Sequence, residues 1–272
     1  YTITHPADNT LQIGATEDIT EYRYRGASPK NYVSFNGETW RIIGVFPTDD
    51  GTGKIENRIK IIKDQSIGDK YWNTTKVTST STYNNWTGAT LNTELNTTYL
   101  NSLTSEAQNM IGNTKYYLGG KNVTYNNGYA DTPLQFYSYE RKIQNTTSNE
   151  FYNGTNPNSW VGKLGLMYVS DYGYASSNCE NKRIYDYNSS ANDIRACNDT
   201  NWLYNIKDNE WILPQNAGTS NRAFYVNSNG HVNYNFVVYN GQFAVRPVLY
   251  LKSAVKITGG SGTSTNPYTL GL

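Results

Sequence analysis

Apolar and polar side chains alternate from residue 232 to residue 236, in the C-terminal part of the chain. Alternation with a period of two is typical of a β-strand with one buried face and one solvent-exposed face. Asn229-Gly230 and Asn240-Gly241 flank this segment, and Asn-Gly favours tight hairpin turns because both residues tolerate a positive φ. The pattern predicts a three-stranded meander over residues 223–226, 232–239 and 243–251.

The N-terminal part of the chain has a similar pattern. Asn36-Gly37 predicts a hairpin between residues 32–35 and 39–46, followed by a third strand over residues 55–63. In the middle of the chain, apolar residues recur every three to four positions, which is typical of amphipathic helices. This spacing predicts two short helices at about 89–101 and 104–111, with Ser102 or Thr104 as the N-cap of the second.

Two further elements are predicted between these regions, a helix around residues 133–142 and a strand over residues 163–169. Strands at both ends with helices between them indicate an α+β fold, with residues 21–272 as one domain whose terminal strands come together. Residues 1–20 form a polar, strand-capable segment. We interpret it as an edge strand, a linker or a strand lent to a neighbouring subunit.

The composition is unusual for a soluble sheet protein. Charged residues make up 17% and aromatic residues 14%, with 25 tyrosines, and asparagine is also in excess. Tyrosine and asparagine provide large contact areas and adaptable hydrogen bonds, which is the chemistry of binding surfaces. The net charge of +1 gives no indication of a nucleic-acid or acidic-membrane partner. No apolar run has the length of a membrane-spanning helix, and no signal peptide is visible.

The chain contains two cysteines, Cys179 and Cys197. We predict a disulfide between them, which fits an extracellular location. Two free thiols and a metal pair are the alternatives. A metal site is disfavoured because the two histidines, His5 and His231, are not at ligand spacing from a cysteine. No cofactor is predicted.

Sequence signals for catalysis are weak. The chain has no Gly-x-Ser-x-Gly elbow for a serine nucleophile, and Gly51–Lys54 lacks the flanking residues of a phosphate-binding loop. Asp171, Glu180 and Asp186 are candidate glycosidase carboxylates, but their spacing does not favour them over other acids. We therefore expect a non-catalytic protein, with a hydrolase as the least favoured alternative.

Arg246 lies in an apolar strand before Pro247, so it is expected to need a buried partner. An ion pair or a contact with backbone carbonyls is the favoured interpretation, and ligand contact is the alternative. Among the six tryptophans, Trp72 and Trp86 lie in the most polar surroundings. These two are predicted to be exposed and to contact a ligand.

Several segments occur in the order typical of one bacterial group: "NYVSFNGETWRIIGVF", "WTGATLNTELNTTYL", "KLGLMYVSDYGYA", "WILP" and "FAVRPVLYL". Over roughly residues 25–272 the chain resembles secreted or surface bacterial proteins with a C-type-lectin-like fold of the formylglycine-generating-enzyme type. The resemblance implies a twisted antiparallel sheet, two short helices and long irregular loops. It also implies that the C-terminal hairpin surface binds the ligand, through Asn233, Asn235, Tyr239, Asn240 and Gln242.

The chain departs from that family in its chemistry. It has no cysteine after Cys197, where the enzymes have reactive cysteines, and it lacks the calcium-binding triplets of the animal lectins. Neither activity is therefore expected. We predict a bacterial cell-surface module for adhesion to a glycan or protein partner. The alternative is a subunit of a filament or pilus-like assembly that uses residues 1–20 for strand addition to another copy.

Overall fold

The computed structural model describes residues 1–74, 84–120, 132–143, 157–184, 196–204, 208–217, 221–237 and 241–272. Within these residues the protein is a mixed α+β structure of mostly antiparallel sheets and a few short helices, which confirms the predicted α+β class. Tyr239 and Asn240 of the predicted ligand site lie outside the described residues, as does Asp186.

The largest sheet has seven strands, and six of them follow one another in the order β1-β2-β4-β5-β14-β9, while β3 pairs with β4. All the pairings between these strands are antiparallel. The strands are β1 (Thr2–His5), β2 (Ile19–Arg23), β3 (Tyr32–Phe35), β4 (Glu38–Asp49), β5 (Ile55–Lys63), β9 (Leu164–Gly165) and β14 (Val248–Tyr250).

The β4–β5 hairpin forms the centre of this sheet. Its turn is stabilised by Asp49, whose Oδ1 accepts hydrogen bonds from the backbone N–H groups of Gly51 at 2.8 Å and Gly53 at 3.1 Å. Both glycines have a positive φ, which few other residues adopt. Further along β4, a Cβ atom at Gly44 would lie 2.2 Å from the carbonyl oxygen of Tyr22. The missing side chain therefore allows β2 to approach β4 closely.

The first twenty residues fold onto the same chain. β1 pairs with β2 in register from Thr2 opposite Tyr22 to His5 opposite Ile19. Leu11 forms an isolated antiparallel β-bridge with Lys142, which is distant from it in the sequence. Within residues 1–20, Thr2–His5 thus form an edge strand of the seven-stranded sheet, which is one of the three interpretations of this segment made from the sequence.

The second sheet has five strands in the order β12-β11-β10-β13-β6. Two short hairpins complete the strand structure of the described residues. The five strands are β6 (Asp69–Lys70), β10 (Glu210–Gln215), β11 (Arg222–Val226), β12 (Val232–Phe236) and β13 (Phe243–Ala244), and the hairpins are β7 (Thr114–Tyr117) with β8 (Ser159–Gly162) and β15 (Lys256–Gly259) with β16 (Thr269–Gly271).

The predicted C-terminal meander is correct for its first two strands and wrong for its third. β11 and β12 form an antiparallel hairpin. Residues 243–251, however, are divided between the two sheets: β13 pairs in parallel with β10, and β14 pairs with β5 of the other sheet. The break falls at residues 245–247, where Pro247 lacks the N–H group that a continuous ladder requires.

The two helices predicted at about 89–101 and 104–111 are confirmed, and a further helical turn precedes them. A short 3₁₀ helix precedes α1, and α1 continues through a π-helical turn into α2. Thr104 caps α3 by accepting a hydrogen bond from the N–H group of Ala107. The 3₁₀ helix is Trp86–Gly88, the π turn is Leu95–Tyr99, and the helices are α1 (Thr90–Glu94), α2 (Leu100–Ser102), α3 (Ser105–Met110), α4 (Pro133–Arg141) and α5 (Val169–Tyr174).

Helix α5 begins where the sequence predicts the end of a strand. The periodicity of residues 163–169 indicates a single strand, but only Leu164–Gly165 is extended in the sheet. Asp171 Oδ2 accepts a hydrogen bond at 2.9 Å from the backbone N–H group of Tyr168, which fixes the first turn of a helix. The helix predicted around residues 133–142 is confirmed as α4, whereas α5 is not predicted from the sequence.

One hydrophobic core joins both sheets and the helices, with residues such as Ile61 of β5, Leu95 of the π turn and Phe224 of β11 in the same cluster. The predicted disulfide between Cys179 and Cys197 is present, with 4.9 Å between the Cα atoms. None of the helices in the described residues is long and apolar enough to cross a membrane.

Candidate functional site

A polar groove with a volume of about 510 Å³ opens beside the β3–β4 hairpin. Its size is typical of small-ligand sites. Aromatic rings, amide groups, carboxylates and one guanidinium group meet there. The residues that define this polar groove are Ala27, Ser28, Tyr32, Arg41, Asp64, Gln65, Asn198, Asp199, Asn201, Trp202 and Tyr204.

Three chain segments build the polar groove. Tyr32 and Arg41 face each other across the β3–β4 ladder, and Asp64 follows the end of β5. The third wall is formed by residues 196–204, which the disulfide at Cys197 ties to Cys179. Trp202 Nε1 donates a 3.0 Å hydrogen bond to the carbonyl of Tyr24, which attaches this wall to the large sheet.

Arg41 is the central charge of the polar groove. Its guanidinium carbon lies 3.8 Å from the centre of the Tyr32 ring and 4.8 Å from the centre of the Trp202 ring. Its Nε donates a 2.7 Å hydrogen bond to Asn31 Oδ1, and its Nη1 lies 3.5 Å from Asp64 Oδ1. Burial lowers the pKa of Arg41, although Tyr32 and Asp64 raise it. The guanidinium is thus held rigidly between two rings as a fixed hydrogen-bonding group.

Amide and phenol groups of the third wall are also held in place. Asn201 Nδ2 donates to the carbonyl of Tyr172 at 2.8 Å, and Asn198 Nδ2 donates to the carbonyl of Asn229 at 2.6 Å. Tyr204 donates its hydroxyl to the carbonyl of Ser228. The polar groove therefore borders the turn that connects β11 and β12, at the end of the predicted binding hairpin.

Ser28, Gln65 and Asp199 are exposed polar residues at the rim of the polar groove. Tyr32 and Tyr204 are half-buried, so part of each ring faces solvent. An aromatic ring beside amides and carboxylates can stack on an apolar sugar face and bond to the surrounding hydroxyl groups.

The prediction that Trp72 and Trp86 are exposed is wrong. Both are fully buried, with ring centres 5.2 Å apart in an edge-to-face arrangement. Trp72 also packs against Trp211 at 5.7 Å. Polar neighbours in the sequence did not keep these rings at the surface, because large aromatic side chains bury much apolar area and form a major part of this core.

The structure places Asn233 and Asn235 on β12 at the edge of the five-stranded sheet, where both are half-buried. The Oδ1 atom of each accepts a 2.7 Å hydrogen bond from the N–H group of the following residue. Gln242 is exposed and precedes β13. None of the three lines the polar groove.

Arg246 is fully buried and makes both of the structural contacts considered from the sequence. It forms an ion pair with Glu210, with Nε–Oε1 at 2.7 Å and Nη2–Oε2 at 2.9 Å, and Nη2 donates to the carbonyl of Leu203 at 2.7 Å. Leu203 lies between Trp202 and Tyr204, so Arg246 supports the third wall of the polar groove from the core side.

A separate buried ionic network includes side chains of β1 and β2. Each of its side chains is at most 5% exposed. Among them, sequence reasoning proposed only Asp171 as a candidate catalytic group and disfavoured His5 as a metal ligand, because the network is assembled from residues far apart in the chain. The buried ionic network consists of His5, Glu21, Arg23, Lys60, Glu140, Arg141 and Asp171.

Arg23 connects two acids of the buried ionic network. Its Nη2 lies 2.8 Å from Glu21 Oε2, and its Nη1 donates a 2.8 Å hydrogen bond to Asp171 Oδ1. The second oxygen of Asp171 contacts Lys60 Nζ. Burial opposes ionisation of Asp171, but Lys60 and Arg23 dominate and lower its pKa. Burial lowers the pKa of Lys60 to about 8, although Asp171 raises it.

Glu140 and Arg141 form the other ion pair of the buried ionic network, with Nη1–Oε2 at 2.7 Å. Ser170 donates to Glu140 through its N–H group at 2.9 Å and its hydroxyl at 2.6 Å. Burial raises the pKa of Glu140 to about 7, and Arg141 and Ser170 only partly offset this effect.

A cavity of about 650 Å³ adjoins the buried ionic network at His5 and Tyr137, whose rings stack at 3.5 Å. Asp8 also lines this cavity, but Glu21, Glu140 and Asp171 do not. The acids of the network are therefore separated from any ligand bound there. Glu180, another candidate carboxylate, forms a partly exposed ion pair with Arg25 at 2.6 Å.

Within the described ranges, no group of three or more histidine, cysteine, aspartate or glutamate residues is arranged to hold a metal ion. Comparison of the chain with models of known protein families, with curated protein sequences and with solved structures gave no match.

Proposed function

We propose that this protein is a non-catalytic binding module of the bacterial cell surface that holds a carbohydrate in the polar groove. The observation that carries the proposal is the convergence of half-exposed Tyr32 and Tyr204 with amide and carboxylate groups in one concave site. Sugar recognition requires this combination of an aromatic surface and planar hydrogen-bonding groups. A concave site of this size suits a short oligosaccharide better than the flat surface of a folded protein partner.

The fold proposed for this module is the C-type-lectin-like one. Antiparallel sheets, short helices and a loop-built groove support that assignment. An extracellular location is proposed with it, and the disulfide supports it because such bonds persist in oxidising compartments.

A binding role is preferred to hydrolysis on the chemistry of the polar groove. Asp64 interacts with Arg41 at 3.5 Å, and Asp199 is exposed to solvent at the rim. Neither carboxyl group lies in an apolar pocket of the kind that encloses the acid of a glycosidase. Burial raises the pKa of Glu140 and of Glu210, but Glu140 belongs to the buried ionic network, Glu210 is paired with Arg246, and neither lines the polar groove.

Screening on a glycan array followed by calorimetry with the best ligand tests this proposal. We expect Tyr204→Ala and Gln65→Ala to weaken binding about tenfold each, the loss of roughly one stacking or polar contact. Asn57→Ala is the matched control. Asn57 is also an exposed amide, but it lies near the start of β5, whereas Gln65 follows the end of that strand. Absence of glycan binding, or equal affinities for all three variants, would contradict the proposal.

A further inference from the structure

We propose that Lys60 and Asp171 condense to form an intramolecular amide (isopeptide) bond, because the amine and the carboxyl group are in direct contact in a fully buried site. Both side chains are 0% exposed. Lys60 projects from the centre of β5, opposite Tyr250 of β14, and Asp171 lies in the first turn of α5. The bond would join the middle of the large sheet to a helix that lies 111 residues further along the chain.

The backbone on both sides holds the reacting groups in place. Lys60 is in the ladder between β4 and β14. Asp171 is fixed by the 2.9 Å hydrogen bond from the N–H group of Tyr168 and by the 2.8 Å hydrogen bond from Arg23. Two groups held together in this way react as if at a very high local concentration.

The surroundings of the Lys60 amine are aromatic. Nζ lies 4.3 Å from the ring centre of Tyr168, 5.0 Å from that of Tyr250 and 5.5 Å from that of Phe46. Such a site excludes water and favours a neutral amine over an ammonium ion, which is the cause of the lowered pKa of Lys60. Exclusion of water also favours an amide over its hydrolysis products.

The condensation balances without any other reactant. Transfer of one proton from the Lys60 ammonium to the Asp171 carboxylate gives a neutral amine and a neutral acid. The Nζ lone pair then attacks Cγ, and the C–Oδ2 bond breaks. Nζ loses two of its three protons in total, and both leave on Oδ2 as one water molecule. No atom is oxidised or reduced.

Neighbouring groups are suited to assist this reaction. Arg23 donates to Oδ1, so its positive charge would stabilise the oxyanion that develops there during attack. Glu140 interacts electrostatically with Asp171 and has a pKa of about 7, which suits a group that relays protons. Its link to the site is Ser170, the residue before Asp171, which donates two hydrogen bonds to Glu140.

The charge balance of the buried ionic network is also consistent with the bond. Condensation removes one positive and one negative charge from a site where both are costly to bury. The remaining charges are paired, Arg23 with Glu21 at 2.8 Å and Arg141 with Glu140 at 2.7 Å.

Intact-mass spectrometry of the purified, denatured full chain tests the proposal. We expect a mass lower than that of the disulfide-bonded sequence by one water molecule, and a proteolytic map that contains a branched peptide joining Lys60 to Asp171. Lys60→Arg and Asp171→Ala should each restore the full mass. A wild-type protein with the full mass would overturn the proposal, whether or not these variants fold.

Two internal controls make the result specific. Lys70 and Glu94 are in contact at 2.6 Å but are 32% and 34% exposed, so they should be recovered in separate peptides. Asp50-Gly51 could also lose water by forming a cyclic imide, which hydrolyses in mild base, whereas the amide persists. A mass deficit that maps to Asp50, or that disappears in mild base, would equally overturn the proposal.

Discussion

Glu140 is a buried carboxyl group that accepts hydrogen bonds from Ser170 and Arg141. Burial is the largest influence on it and raises its pKa from 4.5 to about 7. The folded protein therefore binds this proton more tightly than the unfolded chain does between these two pH values. Neutral Glu140 contributes stability below pH 4.5, and that contribution is lost as the pH rises through about 7.

We expect Glu140→Gln to remove this pH dependence. The free energy of unfolding of the wild type should fall relative to that of the variant between pH 4.5 and 7. The pKa difference corresponds to a relative change of up to about 3 kcal/mol. Urea denaturation of both proteins across this range measures the change. Parallel stability curves would contradict the assignment, whatever constant offset the substitution introduces.

Arg246 shows that the sequence can reveal the need of a buried charge for a partner, but not which residue the partner is. A charge within an apolar strand needs a partner, and this requirement follows from the residue and its neighbours in the chain. The identity of the partner, Glu210, depends on how β10 and β13 are paired. The same dependence explains why the expectation that Trp72 and Trp86 lie at the surface is wrong, since their burial is determined by distant strands and helices.

At the scale of elements, the segment of residues 196–204 links the disulfide to the polar groove. Cys197 begins the wall that contains Asn198, Asn201 and Tyr204, and its partner Cys179 follows α5. The covalent bond therefore connects the geometry of the proposed ligand site to the stability of the fold.

We expect the double variant Cys179→Ser/Cys197→Ser to lose about 3 kcal/mol of stability, because the unfolded chain gains the entropy of an open loop of this length. The residues are 18 positions apart. Chemical denaturation measures the loss, and calorimetry with the ligand from the glycan screen should show weaker binding as well. Unchanged affinity in the folded variant would indicate that the hydrogen bonds of the wall are sufficient to order it.

At the scale of the whole molecule, one core joins the two sheets and the helices. Five of the six tryptophans are buried, and Trp160 packs against the same core. The proposed amide bond and the disulfide would each attach α5 or its C-terminal extension to another part of this core. A second, much smaller cluster of buried residues in the described part of the chain consists of Ile3, Leu11, Tyr137 and Tyr174, beside the edge strand β1.

We therefore expect the chain to unfold in a single cooperative transition. Tryptophan fluorescence and far-ultraviolet circular dichroism should give the same midpoint in urea, because loss of one sheet exposes the core of the other. Variants without the disulfide should retain this coincidence at a lower midpoint. Two distinct midpoints would show that the sheets are independent folding units, as is common in chains of this size.

Consecutive residues of the chain are enough to specify the local elements and the fold class. Turn residues, period-two strands and the N-cap at Thr104 are local signals, so the β4–β5 hairpin, the helices at 90–110 and the disulfide are predictable. The pairing of strands that are distant in the chain, the division of residues 243–251 between two sheets, the polar groove and the buried ionic network emerge only in three dimensions. These features join residues that lie tens to more than a hundred positions apart, and no local pattern specifies such contacts, because packing of the common core selects them.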